Sequence, residues 1–350
     1  MKLINIFQSF VVLAITFVVF LVTAEIFLRV SKIMIPSPRI YDPIFTYDYL
    51  PNKEILYNIE DHFINRLNAY GLNDKDYKPT EKKGIRIAIY GDSYTEALQV
   101  AKNKNFHAIA EENLNGKYNL EIINFGRSGF GAGDEWLFYK KTAPLWQPDI
   151  VIVCMSHNDF TDIEDEIVGP YFYVDKNDNL LWRPSEFTIF LERTSVLGIL
   201  KNNSALVSLL TSVVGKKAVE HYTNQNEPGL KIQAVNQSSY IDTHLTEKIL
   251  NVFRSDLAKN HTQIGIVLIP HRFPENQYRF IKKWCAEKNV PLLDSLASGT
   301  PPDNIFLWKV KNKEVEGHLN TLGHKWFSSL FQDWVEKVFL NTERREFASE

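Results

Sequence analysis

Four short blocks of the 350-residue chain carry side chains suited to acyl transfer. Gly91-Asp92-Ser93 offers a serine hydroxyl, and Asn124-Phe125-Gly126-Arg127-Ser128-Gly129 offers main-chain N–H groups in a glycine turn. Ser156-His157-Asn158-Asp159 adds an amide and a carboxylate, and Glu316-Gly317-His318 adds an imidazole with an acidic neighbour. A serine hydroxyl is a weak nucleophile until an imidazole accepts its proton, and the imidazole needs a carboxylate or similar group to fix its tautomer. The oxyanion formed on attack needs N–H donors aimed at it, and glycine lets the backbone come close. Each block also has a simpler explanation. Asp92 or Ser93 could merely cap a helix, Asn158-Asp159 could be only a turn, and His318 could cap or pack.

The blocks act together only if the fold brings them to one edge. Ile85-Arg86-Ile87-Ala88-Ile89 alternates and predicts a strand over 85–90, so Ser93 sits where a strand turns toward a helix with free N–H groups. A helix is predicted over 105–114, a strand over 118–124, and a helix over 133–143 with Asp134 and Glu135 in its first turn, where acids suit the dipole. Ile150–Met155 is continuously apolar, as in a strand covered on both faces. This rhythm predicts a parallel sheet with helices on both sides, and loops after parallel strands share one edge, where α/β proteins bind ligands.

The rhythm stops after Phe160. Residues 171–174 and 180–182 read as a hairpin, and 195–214 as an apolar helical stretch: a lid, a surface lying against a membrane, or a second span interrupted by Lys201. Residues 224–239 read as a polar loop. Helices over 245–258 and 277–287, strands over 264–269 and 290–293, and a last helix over 321–339 complete the pattern. In that helix Trp326, Phe327, Leu330, Phe331, Trp334 and Val338 recur at helical spacing. Residues from 342 on form a polar tail.

No charge occurs from Leu3 to Ala24, and about 20 apolar residues cross a bilayer, so a retained single-pass anchor is expected over a cleaved signal peptide. Lys2 precedes the stretch, while Arg29, Lys32 and Arg39 come after it. Counted literally, the positive-inside rule leaves the body in the cytoplasm. A lone N-terminal segment more often exports the chain behind it, and the expectation is a cell-membrane protein with its body extracytoplasmic. Pro36-Ser37-Pro38 reads as a linker and 41–68 as an irregular packed segment. Net charge is −3 with no basic run, which argues against a nucleic-acid partner. Cys154 and Cys285 form no CxxC pair and read as buried thiols, and the nine histidines form no metal motif, so no metal or cofactor is expected.

In order and setting, the four blocks resemble the SGNH branch of the GDSL-type serine hydrolases, over about residues 84–340 with an interruption at 161–243. The resemblance implies a three-layer α/β/α sandwich with a mostly parallel, flavodoxin-like sheet, and ester hydrolysis without a cofactor. It implies Ser93 as nucleophile, His318 as base and Glu316 as the group orienting it, with Glu314 in reserve. The oxyanion donors would be the Ser93 N–H, the Gly129 N–H (a better match than Gly126) and the Asn158 side chain, with Asp92 and Asp159 supporting the loops. Two positions depart from the family's pattern. Ser156 stands where a glycine often opens the third block, and Val315-Glu316 stands where an aspartate is common two or three positions before the histidine. The expected division is an anchor at 1–30, a linker and packed extension at 31–83, the hydrolase domain at 84–341 with an insertion or lid at 161–243, and a tail at 342–350. Anchor, linker and domain in this order resemble bacterial members linked to envelope polysaccharides. The expected function is a serine esterase acting on O-acyl esters, O-acetyl among them, of a cell-envelope glycan. An O-acyltransferase to a polysaccharide, a lipid esterase and a catalytically silent carbohydrate-binding protein remain open. His157 and His271 end strands and read as structural, His324 as packing, and Trp136, Trp182 and Trp308 as core residues rather than sugar platforms.

Overall fold

Five strands carry the architecture: β5 (Ile85–Gly91), β6 (Leu120–Asn124), β7 (Ile150–Met155), β10 (Gln263–Leu268) and β11 (Leu292–Asp294). Preceding them are the short strands β1 (Arg39–Asp42), β2 (Thr46–Tyr49), β3 (Glu54–Tyr57) and β4 (Phe63–Arg66), and between β7 and β10 lie β8 (Tyr171–Val174) and β9 (Leu180–Arg183). The computed structural model describes residues 2–42, 44–161, 170–184, 195–214, 243–271, 273–298, 301–307 and 317–341. The loop expected at 224–239, the tail, and Trp308, Glu314 and Glu316 lie outside them. The chain divides into two units, Met1–Ile40 with Glu192–Ser238, and Tyr41–Leu191 with Ser239–Glu350.

In the larger unit the five strands are all parallel, in the order β6-β5-β7-β10-β11. Successive side chains of a strand point to opposite faces. Ile87 and Ile89 therefore pack with Phe106 and Leu114 of a helix at Phe106–Tyr118 and with Phe327 and Phe331 of a helix at Thr321–Val335. Ala88 and Tyr90 pack on the other side with Phe138 of the helix Ala132–Trp146, Phe253 of the helix Thr243–Lys259 and Trp284 of the helix Glu275–Lys288. With both faces covered, every residue of β7 is buried, as a continuous apolar run requires. The result is a three-layer α/β/α sandwich. From β5 the chain steps outward to β6, and from β7 it steps the other way to β10, so a crevice opens between the carboxyl ends of β5 and β7.

Three local expectations change. Residues 41–68 are not irregular throughout: β3 and β4 form an antiparallel hairpin pairing Glu54 with Arg66 and Tyr57 with Phe63. Strands of four residues are too short to show a period. The helix expected to end at Ala143, before Pro144, continues to Trp146, whose burial in the core offsets the hydrogen bond that proline removes. The apolar stretch at 195–214 is two helices, Ser195–Asn203 and Ala205–Val214, broken at Ser204. The N-terminal helix Lys2–Ser31 is the one helix among the described residues long and apolar enough to cross a membrane.

His324 packs as expected. It is fully buried and stacked on Phe106 at 6.1 Å and 3°. Burial, with the nearby His107 and His318 rings, pushes its pKa down from 6.5 to about 3. Between those pH values the unfolded chain binds a proton that the folded chain does not, so this group removes stability as pH falls, by up to about 1.4 kcal/mol per pH unit. Urea unfolding at a series of pH values from 7 down to 5 is expected to show a steeper loss of stability for the native chain than for His324→Phe, even though the variant is less stable at neutral pH. Parallel slopes would exclude this role.

Candidate active site

The loop that carries Ser93 is built by close packing and side-chain ties. Gly91 ends β5 so near the next turn that a Cβ there would lie 2.1 Å from Thr95 Oγ1, and no larger residue fits without displacement. Asp92 caps the one-turn helix Ser93–Glu96 by accepting the Tyr94 N–H at 2.9 Å. Ala97 closes that turn in the left-handed region, φ 53°, and returns its N–H to the Ser93 carbonyl. So short a helix leaves carbonyls without partners. Three asparagine side chains supply them: Asn105 and Asn124 donate to Thr95 O at 3.0 and 2.8 Å, and Asn73 to Glu96 O at 2.7 Å; Asn65 holds the chain that follows by donating to Leu98 O and Val100 O at 3.0 and 2.9 Å.

His318 reaches this loop from the other end of the chain. Its Nε2 lies 2.8 Å from Ser93 Oγ. Asn320 caps the helix Thr321–Val335 through the N–H groups of Leu322 and Gly323, and the Leu307 N–H donates to His318 O at 2.9 Å, so both flanks of the histidine are held. On the far side of the ring, Nδ1 lies 3.0 Å from Glu60 Oε2. The same carboxylate accepts the His318 main-chain N–H at 3.1 and 3.0 Å and the Tyr57 hydroxyl at 2.8 Å. Glu60 lies between β3 and β4, in the connection of the hairpin. Burial acts to raise its pKa, but the His318 ring and the Tyr57 hydroxyl outweigh it, and the carboxyl is held below its ordinary range. Burial and the Glu60 carboxylate push the Tyr57 hydroxyl up, which keeps it a donor. A carboxylate on Nδ1 keeps the proton there and leaves Nε2 free to accept from Ser93.

The three groups expected as oxyanion donors lie on three loops. Ser93 is the first residue of its helix, where an N–H has no intrahelical partner. Gly129 sits at φ +79°, a conformation that favours glycine, and a Cβ there would meet nothing within 4 Å. Its turn is pinned by Glu96, which accepts the Ser128 N–H at 2.8 Å and also the Ser128 hydroxyl, and by Tyr47, whose hydroxyl donates to Ser128 O at 2.5 Å. Asn158 lies on the short turn His157–Phe160. Asp159 accepts the Ser156 N–H at 2.5 Å, and the Ser156 hydroxyl lies 2.7 Å from Asp92 Oδ2 and within hydrogen-bonding reach of Asn158 Oδ1. Ser156 thus ties the third loop to the first. Burial raises the Asp92 pKa, against hydrogen bonds from Ser156, the Tyr94 N–H and Asn158.

No protein-family model and no curated protein sequence matches the chain. Among solved structures it is similar to an acetyl xylan esterase, AlAXEase, at 15% identity and TM-score 0.39, over 72% of this chain and 100% of that one. It is also similar to a catalytic mutant of Axe2, an acetylxylan esterase from Geobacillus stearothermophilus, at 14% identity and TM-score 0.41, over 73% and 95%. A third similar structure is TesA, at 10% identity and TM-score 0.39, over 72% and 98%. Each likeness is to the fold alone.

The structure therefore brings Ser93 and His318 together, with Asp92 and Asp159 accepting main-chain N–H groups inside their loops. Glu316 lies outside the described residues, and the carboxylate seated on Nδ1 is that of Glu60. Sequence reasoning missed Glu60, Tyr57 and Glu96. One signal pointed to the first: Val315-Glu316 lacks the usual aspartate, which leaves the imidazole seeking a carboxylate elsewhere. His157 and His271 stack at 4.9 Å and 21°, and His271 lies 5.2 Å from the Tyr94 ring, itself 4.6 Å from His318. Burial and His271 push the His157 pKa down to about 4. Trp136 is a core residue whose indole N–H donates to Asp256 at 2.9 Å, and Trp182 packs partly buried against the core.

If Glu60 orients His318, Glu60→Gln slows labelling of Ser93 by a fluorophosphonate on the order of a thousandfold, with the fold intact by circular dichroism. Glu316→Gln should label at nearly the native rate. The reverse ranking would return the orienting role to Glu316.

Proposed function

We propose that the protein is a serine ester hydrolase. The observation that carries this reading is the hydrogen-bonded series Ser93 Oγ, His318 Nε2, His318 Nδ1 and Glu60 Oε2, with steps of 2.8 and 3.0 Å across the ring. His318 takes the Ser93 proton as Oγ attacks the ester carbonyl. The resulting oxyanion is held by the N–H groups of Ser93 and Gly129 and by the Asn158 side chain. His318 then protonates the departing alkoxide, leaving an acyl-Ser93 ester. Water, deprotonated by His318, attacks that ester, and the proton returns to Ser93 as the acid leaves. Glu60 stabilises the imidazolium formed at each stage without taking its proton.

The substrate in this reading is an O-acyl ester, O-acetyl included, on a cell-envelope glycan. The N-terminal helix anchors the chain in a membrane with the catalytic unit on the extracytoplasmic side, which gives the enzyme access to polymers it does not have to release. This part rests on the order of anchor, linker and domain and on fold-level analogy.

Ser93→Ala and His318→Ala should each lower hydrolysis of p-nitrophenyl acetate by several orders of magnitude with folding intact. A near-native Ser93→Ala rate would sink the mechanism. For the substrate, envelope glycan from cells with and without the protein should differ in ester content, with more acyl groups retained when Ser93 is alanine. For the topology, a reporter active only outside the cytoplasm, fused after Glu350, should be active.

A further inference from the structure

The smaller unit holds a second apolar surface besides the N-terminal helix. The helices Ser195–Asn203 and Ala205–Val214 meet at Ser204, and that junction is fixed to the N-terminal helix by charged groups. Glu25 accepts the Ser204 hydroxyl at 2.8 Å and the N–H groups of Ala205 and Leu206 at 3.0 and 2.9 Å, so it caps the second helix from outside. Arg29 is paired with Glu25 at 2.6 Å and donates to the carbonyl of Asn203, the end of the first helix. Past the N-terminal helix, the Ser37 N–H lies 2.9 Å from Ser208 Oγ, and Asn202 donates to the carbonyls of Ser37 and Arg39 at 2.6 and 2.8 Å. The pair therefore sits at one defined height along the N-terminal helix.

That height is set by lengths. Ile4–Ser31 makes 28 residues of helix, about 42 Å at the usual rise, against about 30 Å of hydrocarbon that ~20 residues cross. Counted from Ile4, the hydrocarbon ends near Thr23, and Glu25 and Arg29 fall among the headgroups. The helix pair tied to them carries Lys201 as its single charged residue. It exposes Val196, Leu197, Ile199 and Leu200 on the first helix and Val213 and Val214 on the second, with Val196 at 69% and Val214 at 64%. Next to the junction, Phe27 and Val30 of the N-terminal helix are exposed too. Patches of this kind are rare on surfaces that face water.

We infer that the helix pair 195–214 is a lipid-facing hairpin that lies in the interfacial layer of the bilayer beside the end of the N-terminal helix. The inference rests on the anchor reading of that helix. It gives the chain two membrane contacts at one level, so the smaller unit is held flat against the lipid and not on a single pivot.

The test uses the full-length chain in phosphatidylcholine vesicles. Cys154 and Cys285 are buried, so an environment-sensitive maleimide fluorophore added to the folded protein meets only an introduced thiol. Single cysteines replace Leu197 and Val213 in the hairpin, Val12 in the anchor, and Asn177 in the β8–β9 turn. Labels at 12, 197 and 213 are expected to be blue-shifted and quenched severalfold by brominated lipid, with the label at 177 unaffected. Quenching at 12 but not at 197 or 213 overturns the hairpin and leaves the anchor standing. Absence of quenching at 12 as well overturns the anchor reading and the inference with it. Labels at 197 and 213 that are shielded from water but untouched by brominated lipid would mean that protein covers this face, and would also overturn it.

Discussion

The bond between Glu60 and His318 is the contact on which the rest of the site depends. It joins residues 258 apart in the chain, and with the Tyr57 hydroxyl 3.2 Å from the same nitrogen it sets the partner of Nδ1. Glu60 holds the histidine twice, by its ring and by its own main-chain N–H. A side chain that could otherwise swing about χ1 is thereby locked to its backbone. The Tyr57 hydroxyl completes the carboxylate's coordination, and one buried anion with several donors is far better placed than one facing a lone imidazole.

Around that contact the fold supplies rigidity in an economical way. A parallel sheet covered on both faces fixes the ends of β5 and β7 but not the loops beyond them. Those loops are held by polar side chains bonding to main chain, with Asn65, Asn73, Asn105 and Asn124 on the Ser93 turn and the chain after it, Glu96 and Tyr47 on the glycine turn, and Asp159 on the Asn158 turn. The Ser156 hydroxyl beside Asp92 then couples two loops that the sheet alone would leave independent. Because buried polar groups without partners are costly, each tie that is satisfied also excludes alternative loop conformations.

How much of this is legible in the sequence depends on the range of each signal. β5, β7 and the last helix are legible because their patterns are local: alternation in Ile85–Ile89, a continuous apolar run in Ile150–Met155, and helical spacing from Trp326 to Val338. Ser93 and His318 are legible because each stands beside such an element. Glu60 is not. Its hairpin strands are four residues long, too short for periodicity, and its partner lies near the other end of the chain. Glu96 looks like one more polar residue of a helix start, since nothing in its neighbours shows that its carboxylate faces Ser128. Ser156 looks like a departure from a pattern, and its use becomes visible only with Asp92 across from it.

The distance along the chain between Glu60 and His318 also sets an order in time. During synthesis the carboxylate and the serine emerge early, and the imidazole comes only after most of the sheet. Contacts between residues so far apart form late in folding, because the loop they close must first be ordered. Under the proposed mechanism, Ser93 stays an ordinary alcohol with no base to take its proton until the final helix docks. On that reading a chain stalled, clipped or misrouted before that point would carry no reactive nucleophile, and activity would report the arrival of the whole protein rather than any part of it.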